Sequence, residues 1–353
     1  MHRNRNKNIN HFSGGKKMKV KSIRIWVMVV ALATLIGNHA LATLTFDTFL
    51  VVNDGINPVV SGKNIVYYRT EPSKGLYHRS IWGTGAGNYL GCDFVSTQDG
   101  EFDFSGNVVV YTRFDHVVVY RIGRGEDVSL QPNHCFANWP RVDGNRVVFH
   151  GAGHRDCGKH WIYHYSLDTG ELKRIYEWSF GQHCPDVSGD VVVWGGSVAF
   201  EGSRIGMYDF FTDTLTFTDF FDHLYSYPIV SGNIVVWGNG AYDLFKSTYI
   251  DVLTGDNHQI SGNTIVYEKD NGIYGYNIAS DLEFTISSVG RNPHIDGNIV
   301  VWEQGGDIYG AVIPEPATVL LLGLGAEMLR KRKTKNAKSK LKVQDEIASL
   351  CSQ

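Results

Sequence analysis

A pattern of ten residues recurs seven times between residues 58 and 302, and this repeat limits the chain to a repeat architecture. Its fullest copy runs from Pro228 to Trp237. Each copy has a glycine preceded by Ser or Asp, and these glycines are Gly62, Gly106, Gly144, Gly189, Gly232, Gly262 and Gly297. An apolar residue stands two positions before each glycine. An aromatic residue stands five positions after it, as Tyr67, Tyr111, Phe149, Trp194, Trp237, Tyr267 and Trp302.

Each copy predicts two strands joined by a tight turn. The Ser/Asp-Gly pair suits a turn that needs a positive φ, and the β-branched and aromatic run after it suits a strand buried on both faces. Third strands are predicted at Trp161 to Tyr165, Ile205 to Tyr208, Tyr249 to Val252, Ile273 to Tyr276 and Ile308 to Val312. Fuller copies add a fourth strand, such as Leu172 to Tyr176 or Leu215 to Thr218. The unit is therefore a four-stranded meander.

The spacing of the repeat glycines, from 30 to 45 residues, is typical of one β-propeller blade. We therefore predict an all-β, seven-bladed propeller over residues 43–312. The segment from Leu44 to Val52 has a strand pattern but no hairpin partner nearby, and we expect it to complete the last blade. Only 30 residues separate Gly232 from Gly262, which leaves little room for an outer strand in the fifth blade. Six regular blades with one defective blade is the alternative.

The repeat resembles the TolB-like and WD40-like β-propellers, whose blades carry a similar proline, apolar residue, turn and aromatic strand. The resemblance covers residues 44 to 312 and implies the fold. It implies little about function, because propellers serve as binding modules, scaffolds and enzymes.

Residues 1–42 have the features of a secretory signal peptide. They contain eight Lys/Arg and no acidic residue, then an apolar run from Ile25 to Ile36. Ala40 and Ala42 form a small-x-small cleavage site, so we predict cleavage after Ala42. An uncleaved membrane anchor is the alternative.

A second targeting signal is predicted at residues 313–333. Pro314, Glu315 and Pro316 precede a short apolar helix and the basic cluster of residues 330–333. This arrangement resembles the PEP-CTERM sorting signal of Gram-negative bacteria that make exopolysaccharide. The resemblance implies recognition by a membrane transpeptidase called exosortase, transient insertion of the helix into the membrane, and loss of the helix and tail. Glu327 within the apolar run and the predicted disordered basic tail of residues 334–353 depart from the family pattern.

The predicted propeller is acidic. Residues 43–313 contain 17 Lys/Arg and 32 Asp/Glu, a net charge of −15, whereas the whole chain has −3. Such a charge disfavours nucleic acid as a partner and favours neutral or cationic ones.

Four cysteines are candidates for two disulfides, which an exported protein would form in an oxidising compartment. They are Cys92, Cys135, Cys157 and Cys184. Their pairing is open, and free buried thiols are the alternative.

One histidine-rich stretch is the candidate metal site. His150, His154, Asp156 and His160 lie within eleven residues that also contain several glycines. Imidazole suits zinc or copper, and carboxylates suit calcium. The alternative is an ordinary loop that varies between blades, and we expect no cofactor.

The sequence thus predicts an exported β-propeller in the envelope, on the outer surface or in the extracellular matrix of a Gram-negative bacterium. There it would act as a binding or structural module for exopolysaccharide or an envelope protein. The alternative is a glycan-active hydrolase or lyase with a metal site in the propeller loops.

Overall fold

The computed structural model describes residues 46–71, 73–84, 87–90, 102–132, 135–153, 159–178, 184–198, 202–218, 227–238, 240–251 and 255–314. Their strands form seven antiparallel sheets of four strands each. The chain is therefore a seven-bladed β-propeller, as the repeat predicts.

The strands follow the chain blade by blade. The first strand, β1 (Thr48–Val52), precedes blade one, which contains β2 (Ile56–Ser61), β3 (Asn64–Arg69), β4 (Gly75–Ser80) and β5 (Asn88–Tyr89). Blade two contains β6 (Phe102–Ser105), β7 (Val108–Arg113), β8 (His116–Arg121) and β9 (Glu126–Leu130). Blade three contains β10 (Cys135–Asp143), β11 (Arg146–Gly153), β12 (His160–Ser166) and β13 (Leu172–Trp178). Blade four contains β14 (Asp186–Ser188), β15 (Val191–Val198), β16 (Gly202–Asp209) and β17 (Thr214–Phe217).

The last three blades follow the same order. Blade five contains β18 (Ile229–Ser231), β19 (Ile234–Trp237), β20 (Gly240–Asp243) and β21 (Thr248–Asp251). Blade six contains β22 (Asp256–Ser261), β23 (Thr264–Lys269), β24 (Gly272–Asn277) and β25 (Leu282–Ser287). Blade seven contains β26 (Arg291–Asp296), β27 (Ile299–Gln304) and β28 (Asp307–Val312).

The first strand of each blade is its inner strand. These strands contact one another in succession, and β26 of the last blade contacts β2 of the first, so they close a ring around the axis. We call the end where the inner strands begin the upper end. The lower end is the one that carries the Ser/Asp-Gly turns.

The N-terminal strand closes the ring. β1 pairs antiparallel with β28, with Phe49 opposite Gly310, and becomes the outer strand of blade seven. The prediction that the segment before the first repeat completes the last blade is thus confirmed. Closure joins the two ends of the repeat array, which would otherwise leave an open sheet edge.

Blade five has four strands, so the alternative with a defective blade is wrong. The short spacing is accommodated because each of its last three strands has only four residues. The sequence predicts the third strand at Tyr249 to Val252, but the third strand is Gly240–Asp243 and Tyr249 lies in the fourth. A tight connection after Trp237 places β20 earlier than the pattern of the other blades indicates.

Apolar packing fills the space between blades. Seven clusters of buried side chains occur among the described residues, one at each interface between neighbouring blades. The seven repeat aromatics all belong to them, and none exposes more than 4% of its surface. The aromatic strand of each copy is therefore buried on both faces, as predicted.

The Ser/Asp of each repeat also links neighbouring blades. In all seven blades its side-chain oxygen accepts a hydrogen bond from the N–H of the repeat glycine in the following blade, over 2.6 to 3.4 Å. The series is closed, because Asp296 of blade seven accepts from Gly62 of blade one. We call this series the lower ring. The glycines have φ between 56° and 63°, a conformation that glycine adopts without strain.

A second repeated bond ends the third strands. The apolar residue after each third strand donates its N–H to the carbonyl oxygen just beyond the repeat glycine of its own blade, over 2.7 to 2.9 Å. In blade seven this residue is Ile313, which is buried in the core. The last blade therefore includes Ile313.

Within the described ranges, no helix is long and apolar enough to span a membrane. The predicted signal peptide with Ala40 and Ala42, Glu315, Pro316, the apolar helix and the basic tail all lie outside these ranges.

Candidate functional site

The upper ends of the inner strands differ from blade to blade. In blades one, six and seven the residue five positions before the repeat glycine is Asn57, Asn257 or Asn292, with φ of 49° to 50°. Each inner strand has a register shift there, so its upper end bulges out of the sheet. Asparagine tolerates this left-handed conformation better than most residues. The three amides are therefore held at the channel mouth by local backbone geometry.

These amides form a chain across three blades. Asn257 donates from Nδ2 to Oδ1 of Asn292 at 3.3 Å, and Asn292 donates from Nδ2 to Oδ1 of Asn57 at 3.1 Å. We call them the asparagine chain.

Two glutamates hold the asparagine chain from the outside. Glu268 accepts from Nδ2 of Asn257 at 2.7 Å and from the backbone N–H of Asn292. Glu303 accepts from Nδ2 of Asn292 at 3.0 Å and from the backbone N–H of Asn57. Only 2% of the Glu303 side chain is exposed, and Arg291 donates from Nε to its other carboxylate oxygen at 2.8 Å. A buried carboxylate with these donors is well compensated.

Two cavities adjoin the asparagine chain, one on each side. The outer pocket, of roughly 740 Å³, lies at the upper end between blades six and seven. Its polar lining includes Asp256, Glu268, Lys269, Asp270, Arg291 and Glu303. The axial cavity, of roughly 120 Å³, lies between the inner strands of five blades. Its polar lining includes Asn57, Asp103, Arg141, Asn257, Gln259, Asn292 and His294.

The outer pocket is acidic in effect. Its two cations are already engaged, because Lys269 pairs with Glu283 at 2.8 Å and Arg291 pairs with Glu303. Asp256 and Asp270 form no ion pair or side-chain hydrogen bond with other described residues. The pocket therefore offers acceptors to hydroxyl or ammonium groups and has little to attract an anion.

Four ionisable groups line the channel deeper in the ring, three positions before the repeat glycine in their blades. Asp103 accepts the N–H of Val142 of the following blade at 2.8 Å, and Asp186 accepts that of Val230 at 2.7 Å. Nδ1 of His294 accepts the N–H of Val60 at 3.3 Å. Arg141 completes this set, which we call the channel groups.

Burial in the ring shifts the protonation of these groups. It raises the pKa of Asp186 to about 7, even though the Arg141 guanidinium, 3.9 Å away, favours the carboxylate. It also lowers the pKa of His294, so this imidazole is neutral near pH 7. Because Nδ1 of His294 accepts a hydrogen bond, its proton lies on Nε2, which is a donor.

The structure brings two of the predicted metal residues together. Nδ1 of His150 lies 2.7 Å from Oδ1 of Asn138, and Nε2 of His150 lies 2.8 Å from Nδ1 of His160. Since a carbonyl oxygen only accepts, His150 donates at Nδ1 and accepts from His160 at Nε2. The lone pair of His160 is therefore on Nε2, and burial lowers the pKa of His160.

The metal site stays a prediction. His154 and Asp156 lie outside the described residues. Within the described part of the chain, no three His, Cys, Asp or Glu side chains are placed to hold a metal ion. Both ring nitrogens of His150 are hydrogen-bonded, so in this arrangement its ring has no lone pair left for a metal ion.

Among the predicted disulfide cysteines, Cys184 is free. It forms no disulfide with another described residue, and the predicted disulfides stay a prediction. The thiol lies near the start of the inner strand of blade four, and burial raises its pKa to about 12 despite the nearby Arg141. Cys92 and Cys157 lie outside the described residues, and Cys135 is placed in β10 by its backbone alone. Of the predicted sorting motif, only Pro314 is described.

Sequence reasoning missed both the asparagine chain and the channel groups. A signal was present in the repeat itself. Once the copies are aligned on their glycines, the position three residues earlier holds Val59, Asp103, Arg141, Asp186, Ile229, Gln259 and His294. Charged and polar residues at a position that other blades fill with Val or Ile indicate a role other than packing.

No protein-family model matches the chain, and no curated protein matches it. Solved structures do. An oligogalacturonate lyase in complex with manganese has a TM-score of 0.58 at 10% identity, covering 77% of this chain and 97% of the lyase. The oligogalacturonate lyase of Vibrio parahaemolyticus has a TM-score of 0.52 at 11% identity, covering 77% and 98%. A chain of the mitotic checkpoint complex has a TM-score of 0.52 at 9% identity, covering 79% and 98%. At these identities the similarity shows the propeller fold alone.

Proposed function

We propose that this protein is an exported propeller that binds neutral polysaccharide through the outer pocket. The observation that carries the proposal is a large polar cavity in which Asp256 and Asp270 form no ion pair with a described residue, while both cations of the lining are already paired. Its volume lies within the usual range for ligand sites. Sugar hydroxyls both donate and accept hydrogen bonds, so they complement carboxylates and exposed backbone.

Electrostatics favour a neutral polymer over an acidic one. With a net charge of −15 over residues 43–313, the propeller repels polyanions at long range. Inside the pocket, an acidic sugar would meet Asp256 and Asp270 without an available cation. Binding of an acidic polysaccharide would therefore desolvate its carboxylates without forming a compensating ion pair.

Affinity electrophoresis of the purified protein tests this function. Each gel would contain one polymer. Two gels are neutral, with a glucan or a galactomannan, and two are acidic, with pectin or alginate. We expect retardation in at least one neutral gel and none in the acidic gels. Asp256→Ala should weaken the retardation, and Glu171→Ala, an exposed carboxylate at the lower end of blade three, should not. Absence of retardation in neutral gels, or retardation unchanged by Asp256→Ala, would refute the proposal.

The proposal places the protein outside the cytoplasm. It rests on the predicted signal peptide cut after Ala42 and on the likeness of Pro314, Glu315 and Pro316 to a motif read by an exosortase. Mass spectrometry of the protein from its native bacterium should find a chain that begins at Thr43 and lacks residues 334–353. A mature chain that keeps residues 1–42 or residues 334–353 would contradict this part of the proposal.

A glycan-active hydrolase or lyase is the second candidate, and one observation favours it. Asp186, with a pKa of about 7, lies beside Arg141 in the channel, and shifted pKa values of this kind are frequent at catalytic sites. Incubation with the same polysaccharides distinguishes the two functions. Shorter chains formed by the wild type but not by Asp186→Asn would replace the binding function with this one.

A further inference from the structure

We propose that the axial cavity is a specificity subsite that binds the hydroxyl-bearing edge of a single neutral sugar unit. The inference deepens the proposed function and rests on it, because the axial cavity adjoins the outer pocket across the asparagine chain.

The shared wall connects the two cavities. Glu268 and Glu303 line the outer pocket, and their hydrogen bonds fix Asn57, Asn257 and Asn292, which line the axial cavity. A ligand in the outer pocket therefore lies next to the amides that border the axis.

The axial cavity has unused hydrogen-bonding groups of both kinds. Asp103 uses only Oδ2 toward a described residue, which leaves Oδ1 as an acceptor. His294 uses only Nδ1, which leaves the Nε2–H as a donor. The Gln259 amide forms no hydrogen bond with another described residue, and it supplies both a donor and an acceptor. Hydroxyl groups match this mixture, because each one both donates and accepts.

The charge of the cavity disfavours anionic ligands. Asp103 and Arg141 contribute opposite charges, and the remaining polar lining consists of amides and the neutral imidazole of His294. An anionic group entering this cavity would lose its hydration next to the Asp103 carboxylate, while the Arg141 guanidinium already faces Asp186 at 3.9 Å.

The size of the cavity limits the ligand to part of one unit. The cavity, of roughly 120 Å³, has room for several ordered water molecules. Neighbouring hydroxyls of one sugar ring could take the place of these water molecules. The outer pocket, about six times larger, would hold the adjoining units.

Gln259 offers a clean test of this subsite. Blades one and five place Val59 and Ile229 at the same repeat position, so Gln259→Val introduces a side chain that the fold already accepts there. Asp103→Asn is a second variant, because its amide oxygen still accepts the N–H of Val142.

The measurement is saturation-transfer NMR of the purified full chain with D-glucose, D-galactose and D-mannose at millimolar concentration. We expect at least one hexose to bind the wild type. Its dissociation constant should rise roughly three- to tenfold in Gln259→Val, the loss of one or two hydrogen bonds, and stay unchanged in Glu171→Ala, which lies outside both cavities. If Gln259→Val proves misfolded by circular dichroism, Asp103→Asn should show the same selective weakening.

Three results would overturn the subsite: no signal from any hexose, an affinity in the folded axial variants equal to that of the wild type, or the same weakening in Glu171→Ala. The outcome is separable from that of the proposed function. Retention of a neutral polymer without hexose binding removes only the axial subsite. Absence of polymer retention removes the outer pocket as a polysaccharide site, whatever the hexoses do.

Discussion

The two ends of the seven inner strands differ in how regularly their contacts repeat from blade to blade. At the lower end every blade repeats one contact, in which a Ser or Asp oxygen accepts the glycine N–H of the next blade. At the upper end the equivalent residues differ, and only blades one, six and seven contribute to the asparagine chain. The repeated hydrogen bonds hold neighbouring blades together, whereas residues that differ from blade to blade line the cavities. The two ends should therefore respond differently to mutation.

The largest effect is expected between the two ends, at Asp186. Its pKa is 3.8 in the unfolded chain and about 7 in the fold, so the folded state binds the extra proton between these values. Stability from this group is fully present below pH 4, falls as the pH rises to 7, and changes no further above it. The difference corresponds to about 4 kcal/mol.

Denaturant unfolding of the wild type and Asp186→Asn at pH 4 and pH 8 measures this effect. The amide keeps an acceptor for the Val230 N–H without a buried charge. We expect the variant to gain stability relative to the wild type as the pH rises. An equal pH dependence for both proteins would show that Asp186 ionises normally.

The next largest effect is expected at the upper end, from Asn292→Ala. The change removes hydrogen bonds to Asn57, Asn257 and Glu303 and places alanine at a φ of 50°. We expect a loss of about 2–3 kcal/mol in the free energy of unfolding and weaker polysaccharide retention. Asn298→Ala, in a lower-end turn, is the control and should change stability by less than about 0.5 kcal/mol. If Asn292→Ala and Asn298→Ala lowered the free energy of unfolding equally, the two ends would not differ in their response to mutation.

A smaller effect is expected at the lower end, from Ser231→Ala. This residue contributes one neutral hydrogen bond of 2.9 Å to the lower ring. Its loss should cost about 1 kcal/mol in thermal or denaturant unfolding. Retention of polysaccharide by the folded variant should stay at the wild-type level, since the lower ring lies at the opposite end from the outer pocket. Weakened retention would mean that the ends are coupled.

The smallest effect on stability is expected from Asp256→Ala in the outer pocket. Asp256 is exposed and forms no ion pair with another described residue, so the free energy of unfolding should change by less than about 0.5 kcal/mol. This variant should thus lose binding without losing stability, the reverse of Ser231→Ala. A large destabilisation would indicate that Asp256 supports the strand rather than a ligand.

The repeat was sufficient to predict the fold, and the reason is physical. A meander with apolar residues on both faces cannot be stable alone, and packing copies around an axis buries both faces. The number of blades, the buried aromatics and the closing strand followed from this argument. The third strand of blade five was predicted wrongly because strand pattern alone does not determine where a short connection ends.

The candidate site was not predictable in the same way. The sequence directed attention to the histidines of blade three, because His and Asp residues close together in a chain resemble a metal site. Asp103, Arg141, Asp186 and His294 are up to 191 residues apart, and only ring closure brings them to one channel.

The sequence by itself determined a seven-fold ring of four-stranded blades, because the repeat specifies the turn, the buried strand and the interface in every copy. It also contains the predicted export signals, which are linear motifs and need no fold to be recognised. Only the tertiary structure decided where polar groups converge. Cavities, hydrogen-bond partners and shifted pKa values depend on distances across the ring. Those distances are fixed only when blade seven packs against blade one and closes the ring.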